Sequence, residues 1–236
     1  MTSSIRATAR GSLLFASIAL AALPLAGIAA GLSVSDTRLI IDSGKSSVAI
    51  VMSNTTPIPF LTKAWIEDVH GNKTDKLMVV PPVVVSVPNK FNRFQVSVLE
   101  PQDLPQDKES VFYLQTHSAP GNGNPSNSLN VSYNTKLKVF YRPKGLSGSM
   151  DDAIESLHWT LKAGVLTAKN DSNFNVSVVT VGLDKNFKQL SGFMIAPKSS
   201  AQFQVTGKYP KEVTVRWAAM DDFGSPRFVS KTIPND

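Results

Sequence analysis

No stretch of this chain sustains the 3.6-residue apolar period of a core helix. Short apolar runs, several alternating with polar residues, recur instead from Leu32 to the C-terminus and are broken at close intervals by Gly, Pro, Asn and Asp. Alternation at a period of two places successive side chains on opposite faces of a strand. In the first half, LSVSDTRLII, SSVAIVMS, PFLTKAWIED, LMVVPPVVVSV, RFQVSVLE, ESVFYLQTH and LNVSYNTKLKVFYRP read as seven strands. Seven short strands separated by turns every ~8–12 residues predict an immunoglobulin-like sandwich. After Pro143 the polar, glycine-containing stretch at 144–152 reads as a linker, with a short helical turn expected near Asp151 to Ser156. LHWTLKAG, VLTAKND, VSVVTVGLD, GFMIAP, SAQFQV, EVTVRWAAMDD and RFVSKTI then supply a second series. The expected architecture is all-β, with one sandwich over 31–143 and another over 153–236.

The first 30 residues stand apart. Arg6 and Arg10 are their only charges, an apolar run spans Leu13 to Ala26, and the small-residue segment GIAAG follows. This is the layout of a secretory signal peptide with cleavage expected near Ala29 or Ala30. The run is too short and too rich in alanine to predict a membrane span, so no stable membrane insertion is expected. Export would carry the chain to a compartment that permits disulfides, yet it has no cysteine. Its fold must rest on apolar packing, and thiol catalysis and thiolate metal sites are excluded. The formal charge of +6 falls by two when the leader is removed, a small excess that does not predict nucleic-acid binding.

Motifs of catalysis are missing. His70, His117 and His158 lie far apart with no carboxylates at metal-ligand spacing, and GxSxG, HExxH and P-loop patterns do not occur in usable context. Asp151-Asp152 and Asp221-Asp222 read as turn or surface pairs. Five Asn-x-Ser/Thr triplets, at Asn54, Asn72, Asn130, Asn170 and Asn175, read as coincidences of a chain rich in Ser and Asn. No cofactor and no metal are expected. From the residues alone, an adhesion or carbohydrate-binding module and a hydrolase on a β scaffold stay open.

The stretch from Leu129 to Pro143 carries the sharpest functional signal. Leu129, Val131 and Tyr133 alternate with Asn130, Ser132 and Asn134, and three cations follow at Lys136, Lys138 and Arg142. Such a strand is either ordinary core or, at a sheet edge, a template for the strand of another chain.

Several motifs together resemble one family. TRLII at 37–41, NTTPIPFLTKAW at 54–65, the Pro81-Pro82 pair, LPQDKESVFYL at 104–114 and LKVFYRP at 137–143 are similar to the first domain of the periplasmic pilus chaperones. LTAKNDSNFNVSV and MDDFGSP are similar to the second. The resemblance implies a non-enzymatic periplasmic chaperone of the chaperone–usher pathway, with two immunoglobulin-like domains at an angle. Its implied partners are pilus subunits and an outer-membrane usher, and self-association that caps the donor strand is a further possibility. The family's carboxylate-binding arginine and lysine match Arg38 and Lys138, which would anchor the subunit's C-terminus. Leu129, Val131 and Tyr133 match the donor strand, and Glu109, Arg142 and Asp222 match an inter-domain ion network. Strict alternation puts Val131 and Lys138 on opposite faces, so a bulge or twist is expected if both touch the subunit. Asp171, Asp221 and Phe223 depart from the family's usual proline, asparagine and tyrosine. The short loop from Pro120 to Ser128 resembles the branch associated with rod-type pili.

Overall fold

The computed structural model describes residues 31–42, 44–121, 131–183 and 192–235; the expected leader at 1–30, Leu129, Asn130 and most of the loop from Pro120 to Ser128 lie outside them. Two β-sandwiches follow one another along the chain. In the first, β1 (Leu32–Val34), β3 (Ser47–Asn54), β7 (Lys90–Val98) and β5 (Leu77–Val80) form one sheet in the order β1-β3-β7-β5. β2 (Arg38–Asp42), β9 (Tyr133–Arg142), β8 (Ser110–Pro120), β4 (Phe60–Glu67) and β6 (Val83–Ser86) form the other in the order β2-β9-β8-β4-β6.

Alternation dictates which side chains fill the space between the sheets. In β4, Phe60, Thr62, Ala64 and Ile66 are buried, whereas Leu61 and Lys63 are exposed and Trp65 and Glu67 half-buried. Ile50, Phe94, Val96, Leu114 and Val139 complete a core from which water is almost fully excluded. Each such side chain contributes roughly 1.5–3 kcal/mol on full burial, which is how a chain without cysteine holds its sheets together.

The first sandwich has nine strands where the sequence predicts seven, because two of the apolar runs divide between the sheets. LSVSDTRLII breaks at Ser35, whose hydroxyl accepts from Val51 N (3.2 Å) in place of a main-chain carbonyl. The chain leaves β3 there and crosses to pair with β9, in parallel, from Arg38 onward. LMVVPPVVVSV breaks at Pro81-Pro82, where the Val80–Pro81 peptide is cis. Two consecutive residues without an N–H cannot continue a ladder, so β5 pairs with β7 and β6 with β4.

In the second sandwich, β10 (His158–Lys162), β11 (Val165–Asn170) and β14 (Ser199–Gln204) form one sheet. β12 (Val176–Leu183), β13 (Phe193–Ile195), β15 (Glu212–Met220) and β16 (Pro226–Pro234) form the other, in the order β13-β12-β15-β16. Trp159 and Trp217 meet at its centre with ring centroids 5.6 Å apart. The stretch expected to link the sandwiches ends in a helix, α1 (Met150–Glu155), opened by a capping box between Ser149 and Asp152. Met150, Ala153 and Ile154 are buried in the second core, and Trp217 Nε1 donates to Ile154 O (3.1 Å).

Two of the Asn-x-Ser/Thr triplets close turns within the sandwiches. Asn54 is buried, donates to Ile58 O (2.9 Å) and Ser86 O (2.7 Å), and accepts from Thr56 N (2.9 Å). Asn170 does the same in the second sandwich, donating to Phe174 O (2.7 Å), Ile195 O (3.0 Å) and Ala196 O (3.1 Å) and accepting from Ser172 N (3.0 Å). Each amide closes a turn and supplies a donor to buried backbone carbonyls, Ser86 O in the first sandwich and Ile195 O in the second.

Candidate functional site

β9 runs from exposed surface to the seam between the sandwiches. Its pairing with β8 steps evenly from Ser118↔Tyr133 to Ser110↔Tyr141. No bulge or register shift interrupts it from Tyr133 onward, so of the bulge or twist expected if Val131 and Lys138 both touch the subunit, no bulge lies within this pairing. Leu137, Val139 and Tyr141 therefore face the core, while Lys136, Lys138 and Arg142 face the opposite way. Tyr133, on the core side, packs edge-on against Phe60 with centroids 5.4 Å apart. Val131 precedes the strand and is 46% exposed; Leu129 lies outside the described residues.

The other side of β9 is only partly paired. β2 begins opposite Lys138, with Arg38↔Lys138 as its first register pair. Among the described residues, no strand occupies that lane beside Tyr133 to Leu137. The lane is about 16 Å long at a rise of ~3.3 Å per residue, and it ends at two cations.

Parallel register brings Arg38 and Lys138 together on the outward face. Arg38 Nη1 donates to Met220 O (3.3 Å), its Nε is buried without a partner, and its guanidinium lies 5.8 Å from the Phe140 ring centroid. Lys138 Nζ donates to Ser177 Oγ (3.0 Å). Neither forms an ion pair among the described residues. Burial lowers the pKa of both groups; Arg38's charge lowers Lys138 further, while Asp222, Asp221 and Glu109 oppose the fall at Arg38. Two partly desolvated cations with spare donors and no direct acid partner make a receptor for an anion.

At the same seam, Glu109, Arg142 and Asp222 are brought together. Arg142 grips Asp222 with two hydrogen bonds (2.8 and 2.9 Å) and Glu109 Oε1 with two more (3.0 and 3.2 Å). Glu109 Oε2 accepts from Asn175 N (2.9 Å) and Asn175 Nδ2 (3.1 Å). Burial pushes the Glu109 carboxyl above the usual range, against the opposing donors of Asn175 and charge of Arg142. For Arg142 the balance is reversed: burial is outweighed by the hydrogen bonds of Asp222 and the charges of both acids, so the guanidinium is held firmly protonated. Asp222 sits in a tight turn in which Asp221 Oδ1 accepts from Phe223 N (2.9 Å) and Ser225 N (2.8 Å). Gly224 follows at φ +79°, and an added Cβ there would stand 2.2 Å from Thr37 Oγ1.

Ser177, Asn175 and Met220 O belong to this seam, although the sequence presents Asn175 and Ser177 only as a coincidental Asn-x-Ser triplet and gives no signal for Met220. Asn175 and Ser177 lie inside LTAKNDSNFNVSV, the segment that carried the family resemblance. Nothing in their own spacing links them to Glu109 and Lys138, which are reached only through the tertiary fold. Among the described residues no group of His, Asp and Glu could hold a metal ion, and no helix is long and apolar enough to cross a membrane.

Comparison with known proteins bears on both sandwiches. Residues 31–147 match the model of the pili and flagellar-assembly chaperone, PapD N-terminal domain, and residues 152–228 match that of the pili assembly chaperone PapD, C-terminal domain. The chain is 33% identical over 224 residues to the chaperone protein FimB/FhaD of Bordetella pertussis, covering 87% of this chain and 91% of that one. It is 29% identical over 213 residues to the chaperone protein LpfB of Salmonella typhimurium, covering 88% and 91%. The crystal structure of the YadV chaperone superposes with a TM-score of 0.74 at 26% identity, covering 86% of this chain and 99% of that one. With both sandwiches matched in chain order, the protein belongs to the PapD family of pilus-assembly chaperones, a non-enzymatic family built on two immunoglobulin-like domains.

Proposed function

We propose that the chain is a periplasmic chaperone that captures pilus subunits by donating β9 to an incomplete subunit fold and then delivers them to an outer-membrane usher. The observation that carries this reading is the lane beside β9, open from Tyr133 to Leu137 and ending at Arg38 and Lys138. A guest strand entering the lane would add main-chain hydrogen bonds to an unpaired edge. β2 fills the lane beyond Lys138 and runs parallel to β9, so a guest that brings its C-terminus to the cations must also run parallel to β9. Its terminal carboxylate then receives charge-assisted hydrogen bonds from Arg38 and Lys138, each worth roughly 1.5–3 kcal/mol.

This geometry removes the need for a bulge. The apolar row led by Leu129, Val131 and Tyr133 acts through the face of the strand, extending the first core into the guest, whereas the carboxylate lies in the lane between strands. Each apolar side chain fully buried contributes roughly 1.5–3 kcal/mol, so the row supplies affinity and the clamp sets register. Glu109, Arg142 and Asp222 fix the seam against which the clamp is built. The leader pattern at 1–30 supports export to the periplasm.

Co-expression with candidate pilus subunits tests the reading. Wild type is expected to yield a soluble complex, and Arg38→Ala, Lys138→Ala and Val131→Asp to lose most of it while the free proteins stay folded. Undiminished complex in both clamp variants would refute the carboxylate anchor; undiminished complex with Val131→Asp would refute the donor row.

A further inference from the structure

We infer that Ser177 is a third ligand of the guest's terminal carboxylate, contributed by the second domain. This rests on the clamp reading above and extends it to a residue outside the first domain. Ser177 is 3% exposed and stands on β12, yet its only side-chain hydrogen bond among the described residues is to Lys138 Nζ (3.0 Å). Lys138 is the donor in that contact, because an ammonium has no lone pair to offer. The serine hydroxyl hydrogen is therefore turned away from Lys138, and no described residue accepts it.

That hydrogen has the same status as the other free donors of the site. Arg38 Nε is buried without a partner, and two of the three Lys138 N–H groups are unassigned. A buried donor left unpaired, as Arg38 Nε is, is costly, and with the spare donors of Lys138 and Ser177 beside it the three side chains form a site that one carboxylate completes. A carboxylate accepts about four hydrogen bonds, enough for the two cations and the hydroxyl together. A neutral hydroxyl also suits the position better than a charge. An acid at 177 would neutralise the clamp from within, and a third cation would press further on Lys138, which already carries the repulsion of Arg38.

The seam explains how the hydroxyl is held there. Asn175, two residues earlier, is fixed through its backbone N–H and its side chain to Glu109 Oε2, and through Nδ2 to Glu109 O (3.2 Å). Glu109 is in turn gripped by Arg142. The start of β12 is thus fastened to the first domain, and Ser177 is carried to Lys138 by that attachment. Recognition of the guest terminus then requires both domains in their native arrangement.

The test measures binding of two probes to the mature chain by fluorescence anisotropy. One is an N-terminally labelled nine-residue peptide of alternating valine and threonine with a free C-terminal carboxylate, and the other is its carboxamide twin. The readout is the preference for carboxylate over amide, which a purely structural role for Ser177 would not change. Ser177→Ala and Ser177→Val are expected to cut the preference about tenfold, the loss of one hydrogen bond to a charged group, and Ser177→Thr to retain it. Arg38→Ala is measured alongside. Full preference in Ser177→Ala together with loss in Arg38→Ala overturns the role of Ser177 and leaves the clamp standing. Equal weakening of both probes in Ser177→Ala overturns it as well, because the residue then only supports the fold. An unchanged preference in Arg38→Ala overturns the clamp and the inference together.

Discussion

Gly224→Ala is the sharpest single perturbation of the seam. Gly224 adopts φ +79°, a left-handed conformation that costs an L-residue roughly 1–2 kcal/mol. Its Cβ would also stand 2.2 Å from Thr37 Oγ1 and 3.5 Å from Thr37 Cβ. The first distance is impossible and the second is ordinary contact, so the clash is with one hydroxyl. Threonine is stiff at χ1, and overpacking of this kind typically costs a further ~1–3 kcal/mol. The sum is about 2–5 kcal/mol, or a fall in melting temperature of about 4–20 °C for a chain of this size. Thr37 immediately precedes Arg38, so the displacement passes directly into the clamp, and peptide binding is expected to fall with stability. Thermal melting and anisotropy titration of Gly224→Ala, Thr37→Ala and the double variant separate the terms. Thr37→Ala removes the colliding oxygen, so the double variant should recover the clash and retain only the backbone cost. A double variant no more stable than Gly224→Ala would refute the steric account. A Gly224→Ala protein that melts with wild type would refute the close approach itself.

Two further outcomes follow from buried polar groups. Arg142→Ala leaves the fully buried Glu109 carboxylate without its cation and should destabilise the chain by about 3–5 kcal/mol at neutral pH in urea unfolding. Because burial raises the folded-state pKa of Glu109, its protonated form favours the native state. The stability it adds is present in full below the unfolded value of 4.5 and is lost as pH rises through the higher folded value. Much of the Arg142→Ala deficit should therefore return as the pH is lowered through the raised folded value toward 4.5, and a deficit independent of pH would contradict the assignment. Asn170→Ala removes the donor that serves two buried carbonyl contacts, to Phe174 O and Ile195 O, and should cost about 2 kcal/mol or more by the same measurement; a loss below 1 kcal/mol would show that the turn closes without the amide.

Fold class was legible because it depends on local pattern. Period-two alternation, turn residues and the absence of helical periodicity establish β-sandwiches, since they decide which face each side chain can bury. The two runs that divide between sheets were harder to see. Ser35 and the Pro81-Pro82 pair are visible in sequence, but a break in a strand does not say which sheet each half will join. The candidate site was legible in its parts: Arg38, Lys138 and the alternating row were recognisable from the motifs around them. Their relation was not, because parity puts Val131 and Lys138 on opposite faces and does not say whether a bulge, a twist or the lane between strands would relate them to one guest.

What the sequence by itself determined is therefore the alternating strands and, as expectations, a leader pattern and residues suited to binding a carboxylate or lining an apolar groove. Only the tertiary structure decided that β2 starts opposite Lys138 and, among the described residues, leaves the lane before it unpaired, and that Ser177 and Met220 O meet the two cations from the other domain. The physical reason is that strand pairing and domain contact join residues distant in sequence. Arg38 lies 100 positions from Lys138, and Glu109 lies 66 positions from Asn175. No local period encodes those distances; they are set when the apolar cores close and carry their charged edges into register.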